Sequence, residues 1–395
     1  MTKRSQQSMS YGKRILSSAF SGWGARIGLT WVIILAFVAC FSPLLANSMP
    51  LLASENGQVS MPILSYLTAE DLMLMVLFVV VLLLWKMPLK FSTKAAVASS
   101  SALIALLVGL AILSPPKTII YDQFREKAAA GSYDWQVLPP IPYSPSDYLR
   151  DIGGNNSLKA PMVTEKQFHL MGTDSAGSDV ASRMIHASRV ALSIGFIATG
   201  ISMIIGIIIG GQMGYFAGRF DMIGMRIVEV FEAIPVLFLL LAFVAFFGRS
   251  VYIIMIIIGV TGWSGYARYI RAEFLKLRKQ DYVQAAIASG LPLRSILFRH
   301  MLPNGIAPVL VVASFGVAAA ILTEATLSFL GLGPVEAPSW GSMLNEAVKS
   351  SVFNWWMAAF PGGAIFLTVF SYNLMGEALR DAVDPQLSRK AGLVT

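Results

Sequence analysis

Runs of about twenty apolar residues recur along this chain. Lysine and arginine outnumber acids in most of the short connections between them. Few folds satisfy such a pattern. In hydrocarbon every backbone N–H and C=O must be paired inside the protein, so spans are helices or closed barrels. Apolar runs of this length are the signature of membrane-crossing helices, so the expected fold is an all-α polytopic membrane protein. Charged residues make up only 13% of the chain, which supports that reading over a soluble one. The net charge of +8 would suit nucleic acid, but the basic residues cluster in short loops, as the positive-inside rule requires. No nucleic-acid partner is expected; membrane lipid is.

The charge bias orders the spans. Residues 1–26 carry Lys3, Arg4, Lys13, Arg14 and Arg26 and no acid, giving a cytoplasmic tail. The first transmembrane helix is expected at 27–46. Residues 47–114 hold an outer connection and then a transmembrane hairpin, 70–85 and 95–114, whose inner turn bears Lys86, Lys90 and Lys94. The first arm is short, so it either tilts or thins the bilayer, or is a re-entrant or interfacial helix. Residues 115–170 balance their charges and are rich in proline and tyrosine, which suits a periplasmic loop or lid; a passive linker is the plainer alternative. The remaining core, 171–386, contains expected spans at 187–215, 227–247, 250–267, 303–331 and 355–379. A basic cytoplasmic loop, 268–302, divides them, and a cytoplasmic tail, 387–395, follows. The total is about eight spans, with both termini cytoplasmic.

Gly206, Gly210, Gly214 and Gly218 recur every fourth residue, lining one helix face so that another backbone can come close, inside this subunit or against a partner. The last step falls at or beyond the helix end. Glu229 and Glu232 read as an interfacial pair neutralised by Arg226, with a pathway or gate as the alternative, and Pro235 can kink their helix. The single cysteine, Cys40, sits in an apolar run and offers no disulfide. His169, His186 and His300 stand far apart, without metal-ligand spacing. No G-x-x-x-x-G-K-[ST], G-x-S-x-G or H-E-x-x-H occurs. No ATPase site, catalytic residue, metal or cofactor is therefore expected in this chain; if transport is active, a separate subunit supplies the energy.

Asp281–Pro303, DYVQAAIASGLPLRSILFRHMLP, is a polar and basic interruption with its own punctuation. Asp281 suits an N-cap and Gln284 a capping box. Tyr282–Ser289 reads as a short helix ended by Gly290 at C′. Pro292 suits the first turn of a second short helix. Such an elbow at the membrane face can receive force from a soluble motor.

This stretch resembles the EAA loop of ABC-transporter permeases. Ala285, Ala286, Gly290, Leu302 and Pro303 match in register, while Gln284 replaces the usual Glu and His300 an apolar residue. Phe168–Phe196 resembles a signature of the dipeptide, oligopeptide and nickel permeases, matching at Gly172, Thr173, Asp174, Gly177, Asp179, Val180, Ser182 and Arg183. Ser178 stands where that family has Arg, which removes one ion pair. Thr173 or Asp174 can cap the helix that follows. Glu324 in TEATLSFLGLG, Trp340 and Gly341 in an outer PSWG loop, and the closing LRDAVDP resemble the same family. Whether Glu324 lines a pore or holds a helix junction stays open.

The resemblance implies a type I importer core of about six helices with an inserted hairpin. It also implies ATPase coupling through Asp281, Tyr282, Gln284, Ala285, Ala286, Gly290, Leu302 and Pro303. The expected partners are a homologous second permease, two ATPase subunits or one of each of two kinds, and an extracytoplasmic peptide-binding protein. ATP and Mg would be used by the ATPase. The setting is the bacterial inner membrane, and segment 115–170 loosely resembles the oligopeptide and microcin C branch. A secondary transporter or channel, and a non-transporting scaffold that docks an ATPase, are the competing functions.

Overall fold

A computed structural model describes residues 19–116, 119–151, 156–163, 168–350 and 352–383. Residues 387–395 and most of the basic tail 1–26 lie outside the described residues. In chain order the helices of eight or more residues are α1 (Trp23–Cys40), α2 (Ala69–Lys86), α3 (Phe91–Ile112), α4 (Asp122–Ala129), α5 (Val180–Phe216), α6 (Gly218–Ala233) and α7 (Val236–Phe247). Then come α8 (Val251–Thr261), α9 (Trp263–Leu277), α10 (Asp281–Ala288), α11 (Leu302–Phe329), α12 (Trp340–Lys349) and α13 (Trp355–Val383).

Among the described residues, six helical segments are long and apolar enough to cross a membrane: α1, α3, α5, α8 with α9, Leu293–Phe329 and α13. The pair α6 and α7 makes up to a seventh, bent by 80° at its break. The expected eighth span is present as a helix, α2. It carries Glu70, Asp71 and Lys86 in 18 residues, too polar to count by composition alone. Five of the six expected core spans are among these segments, the bent pair supplies the sixth when counted as one span, and the hairpin is one apolar arm and one more polar arm. Pro235 explains the bend, because it cannot continue the hydrogen-bond ladder from α6 and instead caps α7.

The chain divides into two compact units. One contains 193–336 with the first part of the chain and residues from 364 onward; the other contains 33–192 and 337–363. In the first unit the glycine ladder meets its partner. A Cβ on Gly206 would lie 2.9 Å from the Ala267 nitrogen, one on Gly210 2.7 Å from the Ala267 Cα, and one on Gly214 2.7 Å from the Arg271 carbonyl oxygen. Bare backbone on α5 thus lets α9 pack at contact distance. The sequence allowed a partner subunit on this face, but the structure fills it from within. Gly218 is not part of the ladder: it and Ala217 take positive φ, 56° and 52°, in the turn from α5 to α6.

In the second unit, Thr68 and Asp71 form a reciprocal capping box at the start of α2. Gly109 of α3 faces Ala69 so closely that a Cβ there would sit 2.7 Å from the Ala69 Cα, which clamps the hairpin. Arg189 of α5 pairs with the buried Asp71 and so fastens the hairpin to a core helix. The segments on either side of the hairpin fold together. Strands β1 (Leu52–Glu55), β2 (Gln58–Ser60) and β3 (Trp135–Val137) make an antiparallel sheet in the order β2-β1-β3. No strand was expected: 115–170 contributes a strand, helix α4 and a network around Arg125.

That network gives a pH expectation. Burial opposes the charge of Arg125, but hydrogen bonds to Asp151 and Asp147 outweigh it and hold its pKa above the ordinary value. Arg125 in turn holds the Asp151 carboxyl below the usual carboxylate range. The Gly57 N–H, then the Ser54 hydroxyl, do the same to Asp134. Both acids bind a proton more weakly folded than unfolded. Their contribution is complete above the unfolded value near 3.9 and is lost as pH falls through the lowered folded values. Amide exchange across 122–137, corrected for intrinsic rates, is therefore expected to stay constant from pH 8 to 5 and to rise below about pH 4. Unchanged protection at pH 2 would count against this role.

Candidate functional site

Two constellations are built by the residues the sequence singled out. The first is the elbow between α9 and α11. Helix α9 runs on to Leu277, so Arg268, Arg271 and Lys276 lie on a helix and not in the basic loop. Arg271 pairs with Asp221, Arg268 with Glu232, and Arg226 with Glu229 at 2.5 Å. The acids of α6 are thus neutralised, Glu229 by Arg226 as the plainer reading held, and Glu232 by Arg268.

Helix α10 starts at Asp281, with Gln280 at the N-cap and no side-chain cap. The expected capping box does not form. Gln284 turns away and donates to the Arg278 carbonyl at 2.7 Å, while Asp281, one residue inside, places its charge on the positive helix end. The C-terminal end follows expectation. Gly290 takes φ 70°, its N–H bonds the Ile287 carbonyl at 3.0 Å, and the Leu291 N–H bonds the Ala286 carbonyl at 3.2 Å. That is a Schellman motif. Pro292 then caps the next helical turn and is not inside it. No separate second short helix exists: the turn widens into a π segment, Ile296–Met301, and runs straight into α11. Pro303 supplies the cause, because it lacks an N–H and its ring crowds the preceding turn.

Helix α10 has two faces. Val283 and Ala286 are buried in a cluster with Tyr266, Ile270, Phe274, Ile296 and Met301. Tyr282, Gln284, Ala285 and Ile287 face outward. Of the two matched alanines, Ala286 at 6% exposure grips its own subunit and only Ala285 is free to meet another. Leu302 is half-buried and Pro303 exposed at the base of α11.

The second constellation is the turn before α5. Its cap is Asp179, whose Oδ1 accepts from the Ser182 N–H at 2.7 Å. Neither Thr173 nor Asp174 caps the helix, because both are engaged locally. The Thr173 hydroxyl donates to the Asn156 carbonyl at 2.6 Å, and Asp174 Oδ1 accepts from Ala176 and Ser178 N–H groups. Gly172 and Gly177 hold positive φ, and a Cβ on Gly172 would lie 2.5 Å from the Lys159 carbonyl oxygen. Ser178, in place of arginine, is buried.

Arg183 ties the turn to α12. It pairs with Asp174 and makes a fork to Glu346 at 2.5 and 2.7 Å. Trp340 and Gly341 belong to α12 and not to a loop: Ser339 and Ser342 cap that helix reciprocally. The Trp340 indole donates to the Met184 carbonyl at 3.3 Å, and the Trp356 indole to that of Thr173 at 3.2 Å. Sequence reasoning missed the partners His169 and Tyr143. Buried His169 Nδ1 lies 2.8 Å from Asp179 Oδ2, and Tyr143 stacks on its ring at 4.5 Å. Burial first, then the Asp179 carboxylate, pushes the Tyr143 hydroxyl up to about 12, so it stays neutral.

Glu324 is buried near the end of α11 and accepts from the Ser328 hydroxyl at 2.5 Å. The next residues close the helix, with Gly331 at φ 85° and the Leu332 N–H on the Leu327 carbonyl.

Apolar helices interrupted by a two-faced elbow define a polytopic membrane protein. The chain belongs to the oligopeptide- and dipeptide-permease branch of the binding-protein-dependent transport system inner membrane components, whose family model matches residues 202–389. It is similar to the oligopeptide transport system permease protein OppC of Haemophilus influenzae, 37% identical over 269 residues, 67% of this chain and 86% of that protein. The glutathione transport system permease protein GsiD of Pectobacterium atrosepticum is 39% identical over 55% of this chain and 73% of its own length. The dipeptide transport system permease protein DppC of Alkalihalophilus pseudofirmus is 34% identical over 62% of this chain and 80% of its own. The protein is a multi-pass inner-membrane permease component of an ABC importer, and its ATPase is a separate subunit. Membership sets aside a secondary transporter or channel.

Proposed function

We propose that this subunit carries peptides inward by alternating access, paired with a homologous permease, and that α10 is its handle for the ATPase. The observation behind this reading is the division of α10. Val283 and Ala286 lock it into the subunit core, while Tyr282, Ala285 and Ile287 offer an outward face. A helix anchored on one side and free on the other transmits a push without unfolding. Two ATPase subunits, or one of each of two kinds, close on ATP and Mg, and a groove on one of them holds α10. An extracytoplasmic binding protein delivers the peptide. Both termini and the elbow lie in the cytoplasm, as the excess of lysine and arginine in the inner loops supports.

The test is Ala285→Asp beside Tyr282→Ala, assayed with the complete transporter in proteoliposomes. A charge driven into a desolvated contact costs roughly 2–5 kcal/mol, so peptide-stimulated ATPase activity and uptake should fall at least about tenfold. Membrane insertion should be unchanged. Full coupling in both variants would remove α10 from the docking role. Ala286→Asp is not a clean probe, because that side chain faces the subunit's own core. Uptake assays with oligopeptides, dipeptides, nickel chelates and peptide antibiotics of the microcin C kind separate the cargo classes.

A further inference from the structure

We infer that the tip of the α2–α3 hairpin binds the headgroups of anionic phospholipids. Three lysines, Lys86, Lys90 and Lys94, fall within the four-residue connection and the first turns beside it. No acid occurs between Asp71 and Asp122, and the two acids of the arms, Glu70 and Asp71, lie in the first turn of α2 at the opposite end, so no carboxylate of the hairpin stands near the tip to compete for them. Lys86 and Lys90 are exposed, and Lys94 is half-buried with its ammonium 3.4 Å from the Trp85 carbonyl. Beside them stand the exposed aromatics Trp85, at 65%, and Phe91, at 86%, with exposed Met87 between. Apolar and amphipathic rings among lysines at a helix end are the chemistry of the headgroup belt.

Length commits the tip to lipid and not to a protein deeper in the cytoplasm. At 1.5 Å per residue the 18 residues of α2 span about 27 Å and the 22 of α3 about 33 Å, close to the hydrocarbon thickness of about 30 Å. Only Met87–Lys90 joins them, too short to reach far beyond the phosphates. The lysines are therefore held at phosphate depth while Trp85 and Phe91 sit in the acyl boundary. The capping box at Thr68 and the Gly109–Ala69 contact at the other end keep the hairpin rigid, so the tip is presented and not merely tethered.

The inference rests on the membrane orientation proposed above, and the experiment keeps the two apart. The complete transporter is reconstituted in nanodiscs of mixed phosphatidylglycerol and phosphatidylethanolamine, and the lipids retained after release are quantified by native mass spectrometry. Wild type is expected to retain phosphatidylglycerol in preference to phosphatidylethanolamine. The variant Lys86→Gln/Lys90→Gln/Lys94→Gln should lose that preference by about tenfold while keeping the assembled complex. Trp85→Ala/Phe91→Ala should weaken retention of both lipids. Equal enrichment in wild type and the lysine variant would overturn the proposal, as would cross-linking of the tip to the ATPase in place of lipid. Orientation is read separately by Leu89→Cys in a Cys40→Ser background, labelled with an impermeant maleimide. Labelling from the outside alone, with enrichment intact, would overturn the orientation and leave the lipid site standing.

Discussion

Gly210→Leu is expected to prevent stable folding of the subunit, with a cost of about 3 kcal/mol or more. The added Cβ would already overlap the Ala267 carbonyl oxygen and lie 2.7 Å from its Cα. Those atoms are helix backbone and cannot rotate aside, so α5 and α9 would have to separate. Separation would also uncover Met213, Val228 and Trp263, which form a buried cluster with Ala267. Gly200→Leu is the internal control: it lies on the same helix, and nothing stands within 4 Å of its added Cβ. Thermal unfolding in detergent, together with the yield of the folded isolated subunit, measures both. Equal behaviour of the two variants would show that the ladder packs against another subunit, in which case only assembly would suffer.

Arg183→Met is expected to cost about 3 kcal/mol, because it leaves the buried Asp174 carboxylate and its neighbour Glu346 without their cation. The loss should appear as earlier melting of the turn before α5 and of α12. Adding Asp174→Asn should recover much of it, since an asparagine oxygen can still accept from Ala176 and Ser178 but no longer carries charge. A double-mutant cycle reads the coupling. Arg183→Lys should rescue only partly, for one ammonium cannot reproduce the fork to Glu346 while holding Asp174. Additive, independent effects at positions 174 and 183 would contradict the bridging role.

Features set by local backbone chemistry were legible in the sequence. Gly290 could be placed at a helix end because a positive φ there favours glycine. The four-residue rhythm of Gly206, Gly210 and Gly214 announced a close helix contact, though not which helix would fill it. Caps were harder, since several side chains in a row can accept from the same N–H groups. Thr173 and Asp174 read as the candidates, yet the cap is Asp179, because Thr173 bonds the Asn156 carbonyl and Asp174 is taken by its own turn and by Arg183. The two matched alanines of α10 look identical in sequence, and only packing turns Ala286 inward. The small sheet left no readable trace, since its strands are three or four residues long and β1 meets β3 about eighty residues away.

The elbow has a mechanical consequence. Helix α11 begins at the π segment beside α10 and continues for 28 residues, a rod of about 42 Å. Tilting that rod by about 10° at its base would sweep the far end, where Glu324 and Ser328 sit, through about 7 Å. Pro308 lies inside this helix near its base, and a rod counted only from there onward would still travel several ångströms. With α10 as the proposed handle, the π turn beside it would serve as a soft pivot, and a small stroke there would be geared up across the bilayer to a distance comparable with the width of an extended peptide.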